Sequence, residues 1–151
     1  MVQELITSFL ASFSFGIIFN APKNSLIQCG FAGMTGWFIY ILLSMQGFDS
    51  VPATLVAATV VGMISQFFAR IYKMPVIIVN VAGIIPLVPG ALAYEAMRNF
   101  VINDYNTGLA LGTKAFLISG AIAFGLVFSE VFNQLIRKLL KQPKTETHSR
   151  L

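Results

Sequence analysis

The sequence predicts an all-α integral membrane protein, a bundle of about five transmembrane helices whose fourth helix is broken between Pro86 and Gly90. Of its 151 residues, 56% are hydrophobic and only 11% are charged, whereas a soluble domain carries about 25% charged residues. The mean hydropathy of +0.78 agrees with this composition. Because there is too little polar surface to cover a water-soluble core, lipid must be the solvent for much of the chain.

Long uncharged runs predict the individual helices, since a span needs about 20 mostly apolar residues. The first run begins with Glu4 rather than a basic residue, and no Ala-x-Ala-like cleavage site follows, so we expect a retained helix and not a signal peptide. One transmembrane domain is expected over residues 1–140, followed by a polar, disordered cytoplasmic tail over residues 141–151. Its helices are expected at about 4–21, 25–47, 51–71, 75–101 (broken) and 108–139.

The charges predict the orientation of the bundle. With the N-terminus outside and the C-terminus in the cytoplasm, eight basic residues lie inside and only Arg98 and Lys114 lie outside, in accord with the positive-inside rule. A basic tail can also bind nucleic acid, but beside an apolar helix it is more typical of a cytoplasmic end, so no nucleic-acid partner is expected. The inside residues are Lys23, Arg70, Lys73, Arg137, Lys138, Lys141, Lys144 and Arg150.

Small residues recur on one face of several predicted helices, where they let helix backbones approach closely in lipid. In the first three helices these faces are Ser8, Ser12 and Gly16, then Gly30, Gly33 and Gly36, then Ala58, Gly62, Ser65 and Ala69. The fifth helix has a small and polar face that is expected to point into the bundle, formed by Gly112, Ser119, Ala123, Glu130, Asn133 and Arg137.

The fourth segment contains Pro86 and then Pro89 followed by Gly90. Proline removes a backbone donor and clashes with the preceding turn, so the helix should be interrupted, and a new one can start at Pro89. In transporters the N-terminus of such a half-helix offers N–H groups to an anion. We therefore predict a carboxylate-binding site at these three residues, with Tyr94 and Asn80 as neutral hydrogen-bonding groups. The alternative is a packing kink.

Acidic residues supply candidates for proton coupling. Glu130 is the deepest acid, and an acid in a membrane helix usually faces a cavity or a partner. It could take up and release a proton, or form a structural ion pair with Arg70 or Arg137. Glu95 could serve a site at the break or pair with Arg98, three residues on. Asp104 is a weaker candidate, because it lies in the loop sequence Asn-Asp-Tyr-Asn.

Other site chemistries find little support. With one cysteine, Cys29, and one histidine, His148, no metal cluster of the usual spacing can form. Phosphate-binding loops, Ser/His/Asp triads and dinucleotide fingerprints are also absent. We therefore expect neither an enzyme nor a metal or cofactor.

A set of short motifs covers most of the chain: the run from Gly83 to Gly90, then Tyr94, Asp104 and Gly108, Phe19-Asn20 with Pro22, Cys29-Gly30 with Gly36-Trp37, Val61-Gly62 with Ser65-Gln66, Ala69-Arg70, and the stretch from Gly120 to Glu130 with Asn133. As a set, these motifs resemble the threonine/serine exporter family, most closely the small subunit of its split members, over about residues 15–138. Ala82 departs from the pattern, because many members have proline there. The backbone around Ala82 is therefore expected to be helical, which leaves the break at Pro86.

The resemblance implies a subunit of a bacterial cytoplasmic-membrane exporter driven by the proton gradient. Its substrate would be threonine and serine, or a dicarboxylate such as succinate. A separate, larger membrane subunit would carry the other half of the exporter, and the chain could also form a homo-oligomer. Two alternatives remain open: a non-transporting accessory or assembly subunit, and a passive channel made by this chain alone.

Overall fold

A computed structural model describes residues 1–140, and the secondary structure in this range is helical throughout, without strands. The predicted all-α fold is confirmed. The predicted tail, residues 141–151, lies outside the described residues. The helices are α1 Val2–Ile18, α2 Leu26–Met45, α3 Ser50–Tyr72, α4 Val76–Ile84, α5 Gly90–Val101 and α6 Tyr105–Leu140, with 3-10 turns at Lys23–Ser25 and Ile85–Leu87.

The helix ends follow from local sequence. Gly47 lies in the turn between α2 and α3 with φ +87°, a conformation that glycine adopts without steric cost. At the end of α3, Lys73 takes the left-handed conformation with φ 50° and ψ 44°, and the N–H of Met74 donates to the Ala69 carbonyl. Pro75 then precedes the first turn of α4. Proline is tolerated there, because a backbone N–H at the start of a helix has no acceptor within the helix.

Within residues 1–140, three helices are long and apolar enough to cross a membrane, at Lys23–Met45, Ser50–Tyr72 and Tyr105–Leu139. The bent pair α4–α5 makes a fourth if it is one span. Helix α1 is apolar but shorter, with 17 residues, so the predicted number of five is approximate. Large apolar side chains are exposed along these helices; Phe116, for example, is 78% exposed. The chain is a multi-pass membrane protein, since such surfaces are stable in lipid and not in water.

The helices form two connected groups. In the first group, α2 and α4 pack against each other, and each of them also packs against α1 and α3. In the second group, α6 packs against α3 and α5. Helices α3 and α6 run in the same direction, because Gly125 meets Ala58 and Ser129 meets Gly62. Helix α5 returns along the start of α6, where Ala96 lies against Gly108 and Gly112.

Small residues form these interfaces, as predicted for α1, α2 and α3, whose small-residue faces are buried. A Cβ at Gly33 would lie 1.8 Å from Ser12 Oγ, and one at Gly62 would lie 2.1 Å from Ser129 Oγ. Contacts this close mean that the backbones meet with no room for a larger side chain.

The prediction for α6 is wrong. Of the six residues predicted to point inward, only Gly112 and Asn133 are half-buried, whereas Ser119, Ala123, Glu130 and Arg137 are exposed in this chain. The buried residues of α6 instead include Ala115, Ile118, Ala121, Ile122, Gly125 and Ser129. Gly125 and Ser129 pack closely against α3, and this close packing sets the rotation of the helix.

Candidate functional site

The backbone between α4 and α5 is broken, as predicted. Helix α4 continues through Ala82 and Gly83 to Ile84, and the turn Ile85–Leu87 follows. Val88 and Pro89 are not helical, and α5 starts at Gly90 with its axis bent by 52° from the first half. The physical reason is the predicted one, since neither proline can donate a backbone hydrogen bond.

The amides at the start of α5 are partly unpaired. The N–H of Gly90 donates to the Val88 carbonyl at 2.8 Å, and the N–H of Ala93 donates to the Pro89 carbonyl at 3.1 Å. No backbone acceptor within the described range takes the N–H groups of Ala91 and Leu92. These two N–H groups at a helix N-terminus can therefore donate hydrogen bonds to an anionic or carbonyl oxygen.

A cavity of about 290 Å³ lies against this broken backbone. We call it the break cavity. The turn and α5 provide Pro86, Pro89 and Leu92 to its wall, and the other helices provide Trp37, Thr54 and Ile118. Its volume is near the lower end of the range for small-molecule pockets, about 300–1,000 Å³.

Few polar groups line the break cavity. The Thr54 hydroxyl donates to the Ser50 carbonyl at 2.7 Å. The Trp37 ring stacks on Tyr40 with centroids 5.1 Å apart, and its Nε1 is buried without a hydrogen-bond partner among residues 1–140. A buried donor without a partner costs about 1–3 kcal/mol.

Trp37 and Pro86 also line a second cavity of about 240 Å³, on the side of α1. Glu4, Thr7 and Ser8 supply its polar lining. Trp37 and Pro86 therefore separate two spaces, one bounded by α1 and one bounded by α3 and α6.

The predicted substrate-binding residues do not all meet at the break. Pro86 and Pro89 line the break cavity, and Gly90 begins the helix beside it. Tyr94 is 71% exposed and lies outside the lining. Asn80 lies in α4, also outside the lining, and its Oδ1 is buried with no partner in the part of the chain that the structure describes.

The two acids on the α5 side are exposed. Glu95 forms no ion pair with Arg98 within 4.0 Å. Asp104 precedes α6, where its Oδ1 accepts the Thr107 N–H at 3.2 Å. Hydrogen bonds from Thr107 lower the pKa of the Asp104 carboxyl below its ordinary value, as expected for a carboxylate that caps a helix N-terminus.

Glu130 and Arg70 come together at the other end of the bundle. They line a cavity of about 380 Å³, here called the basic cavity, together with Gln66, Lys73, Asn133 and Arg137. Arg70 donates to Asn133 Oδ1 and so ties α3 to α6. Within residues 1–140 the only ion pair joins the Met1 ammonium to Glu4, so the structural pairs proposed for Glu130 are not formed in this structure.

Comparison with protein families decides the identity. The family model described as "Threonine/Serine exporter, ThrE" matches residues 4–132, most of the chain. The chain belongs to the threonine/serine exporter family. The resemblance expected from the sequence is thus confirmed, and no solved structure matches the chain.

The exporter chain carries a transport role of the threonine/serine exporter type. Among the described residues, no group of three His, Cys, Asp or Glu side chains is placed to hold a metal ion. The break cavity adds two residues that sequence reasoning did not select as site residues, Trp37 and Thr54. Two features of the sequence could have indicated Trp37: it belongs to the Gly36-Trp37 motif, and it is the only tryptophan. Nothing in the local sequence marked Thr54.

Proposed function

We propose that this chain is a subunit of a bacterial secondary exporter that moves small carboxylate metabolites outward through the cytoplasmic membrane, coupled to protons. The substrate is threonine and serine, or a dicarboxylate such as succinate, and the chain acts as a transporter and not as an enzyme. The observation that carries the proposal is the break cavity, which combines interrupted backbone, unpaired α5 amides and the unpartnered Trp37 N–H.

In this proposal the substrate carboxylate binds at the start of α5. The N–H groups of Ala91 and Leu92, together with Trp37 Nε1, supply the donors, and the α5 dipole favours the negative charge. Pro86, Pro89 and Gly90 act by keeping the backbone open. Asn80 and Tyr94 lie outside this lining, so the proposal does not depend on them.

Proton coupling is proposed for Glu130, with Glu95 as the alternative. Glu130 lies on the membrane-spanning part of α6 beside an open cavity, where an acid can exchange protons with water. The positive-inside pattern supports the outside N-terminus, which places the Arg70 and Lys73 turn in the cytoplasm.

The exposed side of α6 supports a larger partner subunit. Helix α6 is long and apolar enough to cross a membrane, yet it exposes Ser119, Ala123 and Glu130 in this chain. Polar groups facing lipid are costly, and small residues suit close helix packing. A second membrane subunit covering this face would remove that cost.

The test measures pH-driven efflux of labelled threonine and succinate from vesicles that contain the chain and its larger partner. Trp37→Phe removes the N–H donor and keeps an aromatic ring, and Phe38→Leu is its control on the exposed side of α2. Thr54→Val is matched by Thr59→Val, because both hydroxyls donate to the carbonyl four residues earlier but only Thr54 lines the cavity. We expect about a tenfold loss of flux for Trp37→Phe and little change in the controls. Equal flux in Trp37→Phe, Thr54→Val and the controls would contradict the site.

Two further variants separate the proposal from its rivals. If Pro89→Ala and Gly90→Leu leave the complex assembled but stop flux, the chain is not merely an accessory subunit. If Glu130→Gln and Glu95→Gln both leave pH-driven flux unchanged, the coupling role is wrong. Flux through the purified chain without a proton gradient would favour a passive channel.

A further inference from the structure

The hydrogen bond between Arg70 and Asn133 has a cavity on each side. One is the basic cavity. The other has a volume of about 210 Å³ and is lined by the apolar side chains Met63, Phe67 and Phe132 along the outside of α3 and α6. We call it the apolar groove. Because Arg70, Asn133 and Gln66 line both spaces, a polar pocket and an apolar channel meet at one guanidinium.

The basic cavity has unbalanced charge. Arg70, Lys73 and Arg137 face a single carboxylate, that of Glu130, and none of these four groups is in an ion pair within 4.0 Å inside residues 1–140. The Arg70 guanidinium is oriented by Asn133, so part of the entropic cost of ordering it has already been met before a ligand arrives. Such a cavity favours an anion that brings more than one negatively charged oxygen.

The position of the cavity along the membrane normal indicates the source of that anion. Helix α3 has 23 residues, about 35 Å of helix, whereas the hydrocarbon core is about 30 Å thick. Arg70 and Lys73 stand at the end of a helix that is longer than this core, so we expect them at the level of the lipid phosphates. From there the apolar groove runs along α3 and α6 beside exposed apolar side chains. Phe67 is 60% exposed and Phe132 is 52% exposed.

We infer that the basic cavity and the apolar groove together form a binding site for an anionic phospholipid. The phosphate is bound by Arg70, Lys73 and Arg137, and an acyl chain lies in the groove against Phe67 and Phe132. Zwitterionic lipids fit less well, because their own cation is repelled by the three basic side chains. This inference goes beyond the export role and does not depend on it.

Lys73 fits this role in a further respect. It takes the left-handed conformation at the end of α3, which costs an L-residue with a side chain more than it costs glycine. A glycine there would relieve this cost but would remove a cation from the cavity.

The test is calorimetric titration of the purified full chain, in a neutral detergent, with dioctanoyl phosphatidylglycerol and dioctanoyl phosphatidylcholine. We expect phosphatidylglycerol to bind at least about tenfold more tightly than phosphatidylcholine. Arg70→Gln or Arg137→Gln should remove most of that preference. Lys73→Gln on the exposed turn repeats the test without disturbing helix packing. Arg98→Gln, an exposed cation on α5, is the matched control and should leave the affinity unchanged.

Two more arms distinguish a lipid from a free anion. Phe132→Ser should weaken lipid binding several-fold, because it shortens the apolar contact, and Glu130→Gln should tighten it, because it removes the repelling carboxylate. Inorganic phosphate and succinate should bind much more weakly than the lipid. The inference is overturned if either free anion binds as tightly as the lipid, if Phe132→Ser changes nothing, if Arg98→Gln costs as much as Arg70→Gln, or if no lipid binds.

Discussion

At Gly125, helix α6 comes into close contact with the backbone of α3. A Cβ there would lie 2.7 Å from the Leu55 carbonyl oxygen, 2.9 Å from Ala58 Cβ and 3.0 Å from the Thr59 backbone nitrogen. Two of these atoms belong to the α3 backbone, and the third is a Cβ fixed to it. No side-chain rotation can therefore make space, so Gly125→Ala must move one helix away from the other.

Gly120 supplies the matched control on the same helix. A Cβ at Gly120 would meet no atom of residues 1–140 within 4 Å, so Gly120→Ala gains only the helix propensity of alanine over glycine, about 1 kcal/mol. Gly125→Ala gains the same propensity but pays for overpacking, typically about 1–3 kcal/mol. The two variants should therefore differ in unfolding free energy by roughly 1–3 kcal/mol, with Gly125→Ala the less stable.

The measurement is equilibrium unfolding of the purified chain in mixed micelles, followed by the helical circular dichroism signal. The unchanged chain and both variants are compared under the same conditions. Equal stability of Gly125→Ala and Gly120→Ala would refute the reasoning, because it would mean that α3 and α6 do not approach as closely as the structure shows.

Three further predictions concern other parts of the bundle. In the folded state, hydrogen bonds from Thr107 lower the pKa of the Asp104 carboxyl, so this cap stabilises α6 at neutral pH. The stabilisation should be lost as the pH falls through that lowered pKa. The melting temperature of Asp104→Asn should therefore depend less on acid pH than that of the unchanged chain. Lys73→Gly should raise the unfolding free energy by about 1 kcal/mol, because glycine suits a φ of 50°; a lower melting temperature would contradict this explanation. Gly90→Ala should assemble normally and change the unfolding free energy by less than about 1 kcal/mol, since a Cβ at Gly90 meets no atom of the described residues within 4 Å. A clearly lower melting temperature would show that the start of α5 is more crowded.

Much of the fold could be predicted because it depends on local patterns. The helical fold followed from apolar runs, the break followed from Pro86 and Pro89, and the buried faces of α1, α2 and α3 followed from residues spaced one turn apart. Each of these signals acts within a single helix, where periodicity and missing backbone donors determine the outcome.

The candidate site could be predicted only in part, because its walls come from distant segments. Trp37 and Thr54 reach the break cavity through the packing of α2 and α3 against α4, which no local pattern encodes. The prediction of which face of α6 is buried was wrong for the same reason. Its polar residues suggested an inward face, but the close approach of Gly125 to α3 turned the helix so that Glu130 lies at the edge of the interface.

Helix α6 contributes to the walls of both the break cavity and the basic cavity, with no interruption between them. It runs from Tyr105 to Leu140 with no proline, and it lines the break cavity with Ile118 and the basic cavity with Glu130, 12 residues or about 18 Å apart. Gly125 lies between these two positions, in close contact with the α3 backbone. One uninterrupted helix, held at its middle against α3, therefore joins a wall of the break cavity to a wall of the basic cavity.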